Sequence, residues 1–250
     1  MNNSFDVDLR GLEKFSLVEW PGKISAIIFT GGCNFRCPFC HNPELVQIDN
    51  SKESINPPVY PWSEIEKFLN RKVGWVDAVM ITGGEPTIHS DLPKLLLAVK
   101  NKGFLVGLAT NGTNPEMLKK LMEEKLLDRI CMDVKSSLAR YSLVVGLTKE
   151  GSEKKNFDSL EEKIQRSLEL IKNSGLDYDF KLTLVPGLVN PEDIPAIGEM
   201  IKGAKKLTVQ QFRPLRTLDK SYENKVPYTL DEMKKIVEVL RKYVNKVEGL

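Results

Sequence analysis

The chain has 250 residues, four of them cysteine, with a net charge of +2 and 41% hydrophobic residues. That charge sets up no global field for nucleic acid or a membrane surface, and no apolar run approaches the ~18 residues of a membrane span. The N-terminus, MNNSFDVDLR, lacks the apolar core of a signal peptide, so four cysteines in a cytoplasmic chain point to metal or catalysis rather than disulfides.

Residues 1–15 read as an arm or edge strand, because Phe5, Val7 and Leu9 alternate with polar residues. Residues 23–29 form the first main strand, which runs into Thr30 to Asn42, TGGCNFRCPFCHN. Asn42 to Pro61 is polar and proline-bearing and reads as loop. Ser63 and Glu66 form a capping box that opens a helix to about Lys72. Asp77 to Thr82 is the second strand, ending in Gly83-Gly84-Glu85-Pro86. Asp91 caps a helix with Leu92, Leu95, Leu96 and Val99 on one face. Leu105 to Thr110 is the third strand, and Asn114-Pro115 opens the next helix. Arg129 to Asp133 is the fourth strand. A helix near 158–173 carries Leu160, Ile164, Leu168 and Ile171 on one stripe. Tyr178 to Val185 and Lys206 to Gln211 are the fifth and sixth strands, with a helix opening at Asn190-Pro191 between them. Thr229 and Glu232 cap a final helix that reaches roughly Asn245.

Strands alternate with helices six times, which implies parallel strands with right-handed crossovers. The expectation is one α/β domain over 1–250, its core at about 15–215 and a C-terminal helix at about 229–245. A partial, TIM-like (β/α)6 barrel with a short N-terminal arm fits the count, since a complete barrel usually takes eight units in about 250 residues. A flat doubly wound sheet is the alternative.

Parallel barrels keep their chemistry at the carboxyl ends of strands. After the first strand come Cys33, Cys37 and Cys40, spaced C-x3-C-x2-C. Three soft donors on one loop suit a metal that prefers sulfur. Ordinary buried cysteines, a zinc knuckle completed by His41, and an iron–sulfur cube with one open iron all fit the residues alone. Glu85 can orient a ligand ammonium, although G-G-E-P alone is an ordinary turn. Asp133 and Lys135 share one face of their strand, and Cys131 lies further in as a core residue. His89 reads as a turn or cap residue.

C-x3-C-x2-C after a first strand, with Phe39 before the last cysteine, resembles the radical SAM signature. The frame Ser16-Leu17-Val18-Glu19-Trp20-Pro21-Gly22-Lys23 is similar to that of glycyl radical enzyme activating proteins, closest to the anaerobic ribonucleotide reductase type. The resemblance runs from about Phe15 to about Arg213. It implies that Cys33, Cys37 and Cys40 hold a [4Fe-4S] cluster, and that S-adenosylmethionine (SAM) chelates the fourth iron and is cleaved to a 5′-deoxyadenosyl radical. It implies cofactor contacts from Phe39, Gly83, Gly84, Glu85, Thr110, Asn111, Asp133 and Lys135. Lys181 stands where related activases carry an Arg, and Arg213 where they carry a His. Ala109 replaces an Asp that helps bind a monovalent cation in pyruvate formate-lyase activase. The implied partners are a glycyl radical enzyme, the anaerobic ribonucleotide reductase, and a low-potential electron donor such as flavodoxin or ferredoxin. The runner-up is a radical SAM enzyme acting on a small molecule, as in deazapurine synthesis. Third comes a zinc-binding interaction module. The segments Asn42 to Pro61 and Leu215 to Pro227 read as docking surfaces with no core to serve.

Overall fold

The structure is a computed structural model and describes residues 5–46, 56–147 and 159–249. Eight strands occur in it: β1 Leu9–Ser16, β2 Ser25–Thr30, β3 Ala78–Gly83, β4 Leu105–Thr110, β5 Arg129–Val134, β6 Asp177–Leu184, β7 Leu207–Gln211 and β8 Val247–Glu248. Hydrogen-bonded neighbours follow chain order from β1 to β8. β1 is antiparallel to β2, and the pairs β2–β3, β3–β4, β6–β7 and β7–β8 are parallel. Seven α-helices intervene: α1 Trp62–Lys72, α2 Leu92–Lys100, α3 Pro115–Glu123, α4 Tyr141–Val144, α5 Leu160–Asn173, α6 Ile194–Met200 and α7 Leu230–Leu240. The six strands expected from the sequence are β2 to β7.

The chain divides into two compact units. The first comprises Met1–Asn34, Glu44–Thr110 and Glu116–Ile130, and the second Phe35–Pro43, Asn111–Pro115 and Cys131–Leu250. In the first, Ala26 to Ile28 and Ala78 to Ile81 are buried at every position, the mark of parallel strands covered on both faces. Ile65 and Leu69 of α1 and Leu92, Leu95, Leu96 and Val99 of α2 complete this core. Trp20 is buried here too, with the Arg129 guanidinium 5.9 Å from its ring. In the second unit, Phe180, Leu182 and Leu184 of β6 lie in the core with Ile164, Leu168 and Ile171 of α5. Met233, Ile236, Val237 and Leu240 give α7 its buried stripe.

Several local expectations change. Helix α1 starts one residue before Ser63, with Pro61 at the N-cap and no side-chain cap. The Pro61 carbonyl accepts the amide of Glu64 at 3.1 Å, so Ser63 sits inside the first turn and its capping box does not form. Asp91 does hold the N-cap of α2, but its carboxylate binds Lys94 and the Asp6 amide instead of capping. The Thr229–Glu232 capping box of α7 forms as expected. That helix ends at Leu240, five residues early, and the chain turns into β8, where Leu207 pairs with Val247. The helix expected near 158–173 starts at Leu160 under a Ser159–Glu162 capping box, and position 158 lies outside the described residues. So do 1–4 of the arm and 47–55 of the expected loop, whose start forms a 3-10 turn at Pro43–Leu45.

Candidate functional site: the cysteine loop and the strand ends

β2 ends at Thr30, and the chain then rises through Gly31 and Gly32 to Cys33 in the first unit. The loop is clamped there by backbone. Gly31 N–H donates to the Asp8 carbonyl at 2.8 Å, Gly32 N–H to Leu45 at 2.9 Å and Cys33 N–H to Val46 at 2.9 Å. The G-G-E-P loop after β3 closes on it from the other side. Gly84 N–H donates to Thr30 at 2.9 Å and Glu85 N–H to Gly32 at 2.8 Å. A Cβ on Gly84 would stand 1.9 Å from the Gly32 carbonyl oxygen, so the close approach that this glycine permits is to the cysteine loop itself. His89 Nε2 lies 2.9 Å from the Gly31 carbonyl, which can only accept, so Nε2 carries the proton. His89 also caps the 3-10 turn Pro86–Ile88, its amide donating to the Pro86 carbonyl, which is the turn or cap role expected of it.

Glu85 is 1% exposed. Its Oε1 accepts from the Thr87 amide at 3.1 Å, the Thr87 hydroxyl at 2.6 Å and the Thr110 hydroxyl at 2.7 Å. The ends of β3 and β4 are thereby tied through one carboxylate.

The rest of the cysteine loop belongs to the second unit. Cys37 is buried, whereas Cys33 and Cys40 are half-exposed, and none of the four is in a disulfide. Cys40 N–H donates to the Cys37 carbonyl at 3.0 Å, a tight turn that sets the last two cysteines of the motif. Phe39 is buried, with the Lys135 ammonium 5.9 Å from its ring. Lys135 also pairs with Asp133 at 2.9 Å. Burial works against the lysine charge, but Asp133 and the Cys37 sulfur outweigh it and hold the ammonium above the ordinary lysine value. Cys131 is buried on β5, as expected of a core residue.

Asn111 is buried, and its Oδ1 accepts from the Thr113 amide at 3.0 Å and hydroxyl at 2.7 Å. Lys181 and Thr183 are half-buried and alternate with the buried Phe180, Leu182 and Leu184, as the strand period requires. Arg213 is exposed. Burial first, then Arg213, then Lys135 lower the pKa of His41, whose ring stands edge-on to Phe212 at 6.0 Å.

Two parts of this region carried no sequence signal. Asp219 N–H donates to the Pro38 carbonyl at 2.9 Å and Thr217 is buried, so the segment Leu215 to Pro227 pins the cysteine loop as well as offering surface. Tyr141, fully buried, reaches the Asp133–Lys135 backbone with its hydroxyl. A long-range backbone bond and a lone tyrosine on a one-turn helix leave no pattern to read.

Among the described residues no three His, Cys, Asp or Glu side chains form a ready-made metal group. The fit to an iron–sulfur cluster lies in donor chemistry. Three cysteines outside any disulfide stand within eight positions of the chain, and the Lys135 ammonium keeps its positive charge beside Cys37, a setting that suits an anionic cluster. Among the described residues no helix is long and apolar enough to cross a membrane.

Comparison with known proteins shows the family. The radical SAM superfamily signature matches residues 27–201. A protein of Methanocaldococcus jannaschii described as a glycyl-radical enzyme activating enzyme is 31% identical over 95% of this chain and 93% of its own length. Pyruvate formate-lyase-activating enzyme of Streptococcus mutans is 27% identical over 89% of this chain and 83% of its own. A shorter match, 34% identical over 37% of this chain and 38% of the relative, is to 7-carboxy-7-deazaguanine synthase of Aquifex aeolicus. Among solved structures, SuiB of Streptococcus suis with S-adenosylmethionine bound shares the fold at a TM-score of 0.59 and 15% identity, over 88% of this chain and 48% of SuiB. The α/β fold class of the radical SAM type therefore holds, and the chain belongs to the radical SAM superfamily, whose members use a [4Fe-4S] cluster and S-adenosylmethionine.

Proposed function

We propose that this chain is an activating enzyme that abstracts a hydrogen from a backbone glycine of a partner protein, the partner being an anaerobic ribonucleotide reductase. The extent of likeness supports the activating role. The relative described as an activating enzyme matches 95% of this chain, whereas the deazaguanine synthase matches 37%. Shared cofactor chemistry needs only a common core, and a shared task extends the likeness along both proteins: the activating enzyme matches over 93% of its own length, a GTP 3′,8-cyclase over 64%. The frame Ser16 to Lys23 supports the reductase by resemblance. Within that frame Trp20 is a packing residue, whereas Leu17 and Val18 stand exposed.

In this reading Cys33, Cys37 and Cys40 hold the cluster. The loops after β3, β4 and β5 hold the cofactor through Gly83, Gly84, Glu85, Thr110, Asn111, Asp133 and Lys135. Lys181 and Arg213 add positive charge for its carboxylate and adenosine ends. When bound, the cluster would supply the low-potential electron that S-adenosylmethionine cleavage needs. Phe39, buried beside Lys135, helps keep water from that place. Lys135 holds positive charge at Cys37. A flavodoxin or ferredoxin serves as donor, and the segments 42–61 and 215–227 meet the partner protein.

The test is partner dependence. Reduced protein with S-adenosylmethionine should release 5′-deoxyadenosine at least about tenfold faster once purified anaerobic ribonucleotide reductase is added, because substrate binding completes the site. Stimulation by pyruvate formate-lyase alone would reassign the partner. Stimulation by a small metabolite alone would overturn the activating reading.

A further inference from the structure

We propose that helix α4 is the template on which the middle of the cysteine loop is laid, with Gly146 and Tyr141 as its positioning residues. The inference rests on the reading that Cys37 is a cluster ligand. Three contacts carry it, all within the second unit.

The first is backbone. Arg36 N–H donates to the Val145 carbonyl at 2.9 Å, just past the end of α4. The second is steric. Gly146 follows in the left-handed region at φ 70, and a Cβ there would stand 2.2 Å from the Arg36 carbonyl oxygen and 2.8 Å from its carbon. Only glycine lets the loop lie so close. The third is the tyrosine. Tyr141 is fully buried, with its ring 6.4 Å from that of buried Phe35. Its hydroxyl accepts from the Lys135 amide at 3.3 Å and donates to the Asp133 carbonyl at 3.4 Å. Burial raises its pKa above the ordinary tyrosine value, so the hydroxyl keeps the proton it donates.

Phe35 and Arg36 are thus held from one side, and the end of β5 at Asp133–Lys135 is tied to the same helix. Cys37 is the next residue in the chain and the only buried cysteine of the motif. Its thiol is placed by α4 together with the loop's own Cys37–Cys40 turn. α4 itself is anchored: Leu147 N–H donates to the Ser142 carbonyl at 2.9 Å, and the Ser142 hydroxyl to Glu161 at 3.2 Å.

The experiment compares Gly146→Ala and Tyr141→Phe with Gly175→Ala. Gly175 has the same left-handed backbone, φ 76, but nothing within 4 Å of a Cβ, so it carries the conformational strain without the contact. In cluster-free protein, alkylation of each cysteine by iodoacetamide is followed by mass spectrometry. Gly146→Ala should speed Cys37 labelling by about fivefold or more relative to Cys33 and Cys40, because exposure governs thiol reactivity. Tyr141→Phe should move it the same way by less, and Gly175→Ala should leave the ratio unchanged. After reconstitution, Gly146→Ala should weaken S-adenosylmethionine binding about tenfold, as small misplacements of a site do. An unchanged Cys37 ratio in both α4 variants, or an equal rise in Gly175→Ala, would overturn the proposal. Should wild-type protein take up no cluster, the ligand reading fails separately, while the labelling ratio still scores the template.

Discussion

At the scale of single residues, the site uses its glycines and its buried acid against the protein's own backbone first. Gly84 is the sharpest case, since its missing Cβ is the space occupied by the Gly32 carbonyl. Gly84→Ala should destabilise the cluster-free protein by about 3 kcal/mol, the upper end of overpacking costs, because backbone cannot rotate away. Urea unfolding followed by circular dichroism measures this, and a loss under about 1 kcal/mol would mean the two loops separate freely. Cysteine substitutions divide cleanly. Reconstituted wild-type protein should bind about four irons, the content of a cube. Changing Cys33, Cys37 or Cys40 to Ala should abolish stable loading, while Cys131→Ala, in the core of β5, should keep it. The cysteine spacing and the Asp133–Lys135 pair were legible because their meaning lies in neighbours along the chain. Tyr141 and Gly146 were not, because what they do depends on a loop that the fold brings to them from far along the sequence.

At the scale of elements, hydrophobic period and caps located β2 to β7 to within about two residues, the usual boundary error. The failures have local causes. Pro61 offers its carbonyl two residues ahead of Ser63 and takes the cap position, so a good capping pattern lost to a neighbour. Helix α7 was read to Asn245 because Val244 continues its apolar stripe. Val244 is indeed buried, but beyond Leu240, past a turn at Arg241 to Tyr243. Two-residue β8 was invisible because pairing with β7 defines it. Its Glu248 accepts from Lys206 at 2.7 Å and Lys246 at 2.5 Å, and those two hydrogen bonds lower its carboxyl from 4.5 to about 2. A depressed carboxyl stabilises the fold above its unfolded value and loses that contribution as pH falls through the folded value. The stability gap between wild type and Glu248→Gln should therefore be present at pH 7 and vanish between 4.5 and about 2. Glu248 is only partly buried and solvent screens it, so the gap should stay below about 1 kcal/mol. A gap that widened on acidification would reverse the assignment. For α7, Thr229→Ala removes the side-chain cap of Glu232 N–H and should cost about 1 kcal/mol by thermal denaturation.

At the scale of the whole molecule, the superfamily core over 27–201 accounts for cofactor chemistry, and full-length likeness to activating enzymes is what points to a protein substrate. Cys33 belongs to the first compact unit, and Cys37 and Cys40 to the second. No sequence pattern announced that division, because the boundary falls inside a motif whose residues are continuous in the chain. The most direct measurement is electron paramagnetic resonance of the partner. Anaerobic ribonucleotide reductase incubated with reduced protein and S-adenosylmethionine should show a carbon-centred doublet from the single remaining glycine α-hydrogen, collapsing to a singlet when its glycines are deuterated at Cα. A partner that stays free of radical while 5′-deoxyadenosine accumulates with a small metabolite would contradict the account.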